Sequence, residues 1–79
     1  MNNEVVDIIA SVIHDAWVEW SRTLAYEEAL SPQRLERWKT LWVSFDELRE
    51  RWKEEDRKFA ERVIARLAER GYAIVPAEK

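Results

Sequence analysis

The sequence predicts an all-α fold: three main helices with a short extended C-terminal segment. Three observations predict it. Apolar residues recur at three- and four-residue spacing along most of the chain. Two serines stand where helix N-caps belong, Ser31 directly before Pro32 and Ser44 three residues before Glu47. The single glycine, Gly71, follows an arginine-bearing turn, which is the place of a helix-ending C′ glycine.

Helix one is expected over residues 4–29. Asn3 is its expected N-cap, and Glu4 and Asp7 fall in the first turn, where the helix dipole favours acids. Val5, Ile9, Val12, Ala16 and Trp20 form one stripe, which Val6, Ile13, Trp17 and Leu24 widen. A helix apolar around so much of its girth is buried on more than one side. In so short a chain the second burial is expected to come from another copy. Val5, Val6, Ile8 and Ile9 have only middling helix propensity, so packing is expected to hold them helical.

Helix two is expected from Pro32 to about Leu41. Leu35, Trp38, Leu41 and Trp42 give it a short apolar stripe, and Arg34, Arg37 and Lys39 make the remainder basic. Ser44 and Glu47 then stand in the capping-box relation, so a third helix starts near Phe45 or Asp46. It reads either as one helix to Arg70 or as a short turn followed by a helix from about Lys53. Leu48, Trp52, Phe59, Val63 and Leu67 share a face, and the aspartate Asp56 falls in line with them. Glu47–Arg51 and Glu54–Lys58 are i,i+4 pairs in the favoured order. After Gly71, residues 72–75 read as extended, Pro76 ends the ordered chain, and the last three residues are expected to fray.

Seventy-nine residues make one domain, 1–79, and a small one, which buries only roughly 60% of its unfolded surface. There is no cysteine to staple it, and with His14 as the lone histidine no metal is expected. Five tryptophans then point to dense aromatic packing, to oligomerisation, or to both. A net charge of −3 argues against general nucleic-acid binding. No apolar run approaches the ~20 residues needed to cross a bilayer, and the N-terminus lacks a basic n-region, so a soluble cytoplasmic protein is expected.

Ile13-His14-Asp15-Ala16-Trp17 resembles the I-H-x-x-W opening of the ryanodine receptor (RyR) repeat domain. Tyr26 stands at the spacing of that family's next aromatic. Leu41, Trp42, Val43, Ser44, Phe45 and Leu48 resemble its L-V-P-Y-x-x-L segment. Lys53, Asp56 and Arg57 stand at the spacing of the K-x-x-D-R element of small bacterial and phage members, and Gly71, Tyr72 and Ile74 match the family's closing G-Y and extended segment. The likeness runs from about Ile8 to Val75. The family's G-W-x-Y-G turn is replaced by Ala25-Tyr26-Glu27-Glu28-Ala29, and the proline before the aromatic is Ser44. The resemblance implies a small RyR-repeat-like helical domain, a bacterial or phage conflict context, and the nucleotide-derived ligands proposed for that family.

The candidate ligand-binding residues are His14, Trp17, Tyr26, Trp42, Phe45, Lys53, Asp56 and Arg57. A histidine such as His14 is ordinarily a partly buried residue satisfied by the fold, and otherwise a polar anchor in a pocket. Asp56 is its expected partner, because a carboxylate on an imidazole nitrogen fixes tautomer and orientation. The pair could equally be a structural lock between helices one and three, the first explanation of an acid on an apolar stripe. Lys53 and Arg57 read as a solvated face, or else as a phosphate contact through the arginine fork. Trp17, Tyr26, Trp42 and Phe45 read as core, or else as pocket walls on which a base stacks. Trp20, Trp38 and Trp52 are expected to face another subunit. With no cysteine nucleophile, no Ser–His–acid motif and too few glycines for a phosphate loop, no catalysis is expected. Two functions fit: a module that captures a nucleotide-like small molecule without a cofactor, or a structural domain that forms a homo-oligomer through its tryptophans.

Overall fold

The structure, a computed structural model, describes residues 3–77. Among them the chain is all-helical: α1 (Asn3–Glu27), α2 (Pro32–Lys39), a 3₁₀ turn (Phe45–Glu47) and α3 (Glu50–Glu69), with no strand. The side chain of Asn3, expected as a cap, lies outside the described residues.

Helix α1 stops two residues short of the expected 29. Ser31 must be extended (φ −63°, ψ 147°) for its hydroxyl to accept from the Arg34 amide at 3.2 Å, and Pro32 disfavours a helical residue before it. The Ser31-Pro32 start is therefore present as the sequence predicts. Helix α2 ends at Lys39 rather than Leu41. There the chain tightens into three-residue turns, with the Leu41 amide on the Trp38 carbonyl and the Trp42 amide on that of Lys39.

Of the two arrangements open for the third helix, the structure has the one with a turn first, although α3 begins at Glu50 and not at Lys53. Ser44 does not cap it. Its hydroxyl donates to the Glu47 carboxylate at 2.9 Å, and no backbone amide is reached. Leu48 and Arg49 are extended (ψ 151° and 149°), which breaks the helix, and Phe45 and Leu48 both lie in the core. Gly71 (φ +88°) ends α3 as expected. The Tyr72 amide bonds the Leu67 carbonyl and the Gly71 amide that of Ala68, the two bonds of a Schellman cap. Residues 72–77 carry neither helix nor strand.

The core is small. Val6 and Ala10 of α1, Phe45 and Leu48 of the turn, and Ala60 of α3 are buried, and Ile9, Ile13, Leu41, Val43 and Ile64 pack against them. Helices α1 and α3 form its main contact and run antiparallel: Val5 lies near Ile64 and Leu67, whereas His14 meets Asp56. Two wholly buried alanines, Ala10 and Ala60, let these helices approach closely. Helix α2 buries no residue. It leans on the C-terminal half of α1 through indoles, Trp38 lying 5.8 Å from Trp17 and 6.3 Å from Trp20. None of the five tryptophans is buried, so dense aromatic packing is not what stabilises the core. Among the described residues no helix is long and apolar enough to cross a membrane.

Candidate functional site

Helix α1 presents His14 and Trp17 one turn apart on the face that meets α2 and α3. The His14 ring is buried, at 4% exposure. Its Nε2 donates to the Val43 carbonyl at 2.7 Å, and its Nδ1 lies 3.5 Å from Asp56 Oδ2. The Trp17 indole stacks beside it at 6.1 Å and 24°. A carbonyl only accepts, so Nε2 carries the proton in the neutral ring and Nδ1 turns its lone pair towards Asp56. Burial pushes the Asp56 carboxyl above the usual carboxylate range; His14 opposes that shift and Glu55 adds to it. The acid on the apolar stripe is thus accounted for by the imidazole across from it.

This pair is the polar floor of a half-open cleft of about 510 Å³ between the three helices. Trp17, Trp38 and Trp52 are its aromatic walls, Leu41 and Leu48 its aliphatic ones, and Arg37 lies on its α2 side. The Thr40 hydroxyl, also in the lining, donates to the Arg37 carbonyl at 2.6 Å, so it serves to end α2.

Of the residues singled out in the sequence, the structure brings His14, Trp17 and Asp56 together and does not bring the other five to this cleft. Tyr26 stands 93% exposed near the end of α1. Trp42 lines a shallower groove on another side, where its indole N–H donates to the buried Ser21 hydroxyl at 2.9 Å and Arg22 covers its ring. Phe45 belongs to the core, beneath the cations of Lys53 and Arg57 at 5.8 and 5.9 Å. Arg57 is engaged by three carboxylates: Asp7 of α1 at 2.6 Å, Glu50 and Glu54. Those contacts make its guanidinium hold its proton more firmly than usual, and they occupy the fork that a phosphate would need.

Sequence reasoning missed Trp38, Trp52 and Arg37 as cleft residues. A signal for Trp52 exists, since it stands one turn before Asp56 on the same face of α3. Trp38 and Arg37 arrive only through the way α2 folds back onto α1, which no local pattern encodes. Among the described residues, no group of three or more His, Cys, Asp or Glu could hold a metal ion. No protein-family model, no curated protein and no solved structure matches this chain.

Proposed function

We propose that this chain is a small binding module that captures a planar aromatic ligand carrying an anionic group, a nucleotide or nucleotide-derived molecule being the fitting class. The observation that carries this reading is the convergence of three indoles, one imidazole–carboxylate pair and one arginine on a single cleft. Its volume of about 510 Å³ falls within the roughly 300–1,000 Å³ of small-molecule sites, which are mostly apolar with a few placed polar groups. A base would stack against Trp38 or Trp52, and its ring edge would meet the Asp56 carboxyl and the indole edge of Trp17. Arg37 would meet phosphate. The order of motifs resembling a single RyR repeat supports the same ligand class. The chemistry is capture without turnover, since the polar pair faces no nucleophile: the Thr40 hydroxyl is engaged with backbone.

Titration of the intrinsic tryptophan fluorescence with mono-, di- and cyclic nucleotides tests this directly. A saturable change is expected with at least one of them. Trp38→Ala and Trp52→Ala should each weaken it about tenfold, the usual loss when a stacked base loses its ring. Arg37→Gln should weaken phosphorylated ligands more than the nucleoside. A flat response across the whole panel, in fluorescence and in thermal shift, rejects the reading.

A further inference from the structure

The chain is too open for its size. It exposes 6708 Å² of surface, whereas a compact monomer of 9.5 kDa exposes roughly 5,000 Å². Its radius of gyration is 15.2 Å, against roughly 12 Å for a compact domain of this length. Part of the excess is apolar: on α1 Trp20 is 58% exposed, and on α3 Trp52, Phe59 and Val63 are 37%, 49% and 42% exposed.

These residues belong to one side of the molecule. At 3.6 residues per turn, Trp20 lies about a quarter-turn to one hand of the α1 face that meets α3, and Phe59 and Val63 lie about a quarter-turn to the same hand on α3. Because the two helices run antiparallel, the two flanks come to the same side. The contacts agree: Trp20 touches Trp38, and Trp38 and Trp52 wall the same cleft. The opposite side is charged, with Asp7, Glu50, Glu54 and Glu61 around Arg57. The α1–α3 pair therefore has a charged face on one flank and an apolar face on the other.

We propose that a second copy of this chain packs on that apolar face, forming a two-fold dimer in which α1 and α3 of both copies make a four-helix core. A standard interface takes about 800 Å² from each partner, about half of the roughly 1,700 Å² by which the whole chain, its exposed C-terminal segment included, exceeds a compact monomer of its mass. A two-fold contact sets the face against itself, so apolar residues meet apolar residues and both acidic faces stay in water. A charged or polar partner offers no such match. The cleft borders this face, with Trp52 at the edge of both, yet the dimer does not depend on any ligand in it.

Size-exclusion chromatography with light scattering over a dilution series tests the proposal. Twice the chain mass of 9.5 kDa is expected for the native protein. The control Glu61→Lys, on the charged side, should give the same mass. Val63→Glu and Phe59→Ser should give single chains while circular dichroism stays helical. Dilution of the native protein should also shift tryptophan emission to the red, as Trp20 and Trp52 return to water. A single-chain mass at the highest concentration overturns the proposal. So does a dimer that survives both substitutions, or an emission maximum unmoved through dissociation.

Discussion

His14 and Asp56 meet across the α1–α3 contact, Nδ1 to Oδ2 at 3.5 Å, while the other ring nitrogen of His14 is bonded to the Val43 carbonyl at 2.7 Å. One imidazole thereby joins α1, the segment after α2, and α3. It also shapes the cleft floor, so the same contact serves fold and site. With Nε2–H committed to Val43, Nδ1 offers a lone pair towards Oδ2, and burial favours the protonated form of the Asp56 carboxyl across from it.

This geometry makes the stability contribution of Asp56 fall with rising pH. Burial raises its pKa above the ordinary 3.8, so the folded chain binds the proton more tightly than the unfolded chain. The contribution is fully present below pH 3.8 and is lost as pH rises through the raised value. Asp56→Asn keeps a group facing Nδ1 and removes the titration. Its urea midpoint should gain on that of the native protein as pH rises from the low side of this window. Asp56→Ala leaves Nδ1 with no partner and should cost about 1–3 kcal/mol. Native and Asn midpoints that run parallel across pH would show that folding does not tighten proton binding at Asp56.

Asp7 carries the opposite sign. Its hydrogen bond to Arg57 holds its carboxyl below the usual range, against a smaller opposing effect of burial. Its contribution is present above pH 3.8 and is lost as pH falls through the lowered value. Asp7→Asn should lower the thermal midpoint at pH 7, and the two proteins should converge as the native one is acidified. Because this contact is partly open to solvent, added salt should narrow the difference at pH 7. A constant gap between the two at every pH would place the effect in packing and not in charge.

Ser21 predicts a loss from a single hydroxyl. The residue is fully buried, its Oγ accepts from the Trp42 indole N–H at 2.9 Å, and its own proton goes to the Val18 carbonyl at 3.2 Å. Ser21→Ala strips the indole of its acceptor in a part-buried place, so a loss of about 1–3 kcal/mol is expected in urea unfolding. Trp42→Phe removes the donor as well. In the double variant the two losses should sum to less than their separate values. Full additivity would mean that the hydrogen bond contributes nothing.

The parts of this fold that were legible in the sequence are those decided within a few residues. Ser31-Pro32 starts α2 because cap and fixed φ act locally, and Asp56 announced a polar partner because an acid is costly on an apolar stripe. The break at Leu48-Arg49 was legible only as one of two arrangements, and its position was not. Ser44 and Glu47 have the spacing of a capping box, but the Ser44 hydroxyl goes to the Glu47 carboxylate instead of an amide, and Leu48 and Arg49 are extended. Arg57 was equally opaque: its Asp7 partner lies 50 residues away in sequence, and nothing local separates an arginine held by three acids from one able to meet phosphate. Residues of the cleft divide the same way. His14 and Trp17 share one helix face, whereas Trp38 depends on the angle at which α2 returns.

Gly71 gives a final prediction, in which backbone conformation can be isolated from packing. Its φ of +88° lies in the left-handed region, and a Cβ added there meets nothing within 4 Å. Any cost of Gly71→Ala is thus conformational, about 1–2 kcal/mol for an L-residue with a side chain. Asparagine tolerates this region better, so stability should fall in the order glycine, asparagine, alanine. The cap also aims the C-terminal segment: the Tyr72 amide is bonded to the Leu67 carbonyl at 2.9 Å, and Tyr72, Ala73 and Ile74 lie over Val5 and Leu67. Straining the cap should release that segment before the helices open. Hydrogen exchange in Gly71→Ala should accelerate at the Gly71 and Tyr72 amides and leave mid-α3 amides near Ala60 slow. Equal acceleration at all of these amides would mean that cap and helix open as one unit.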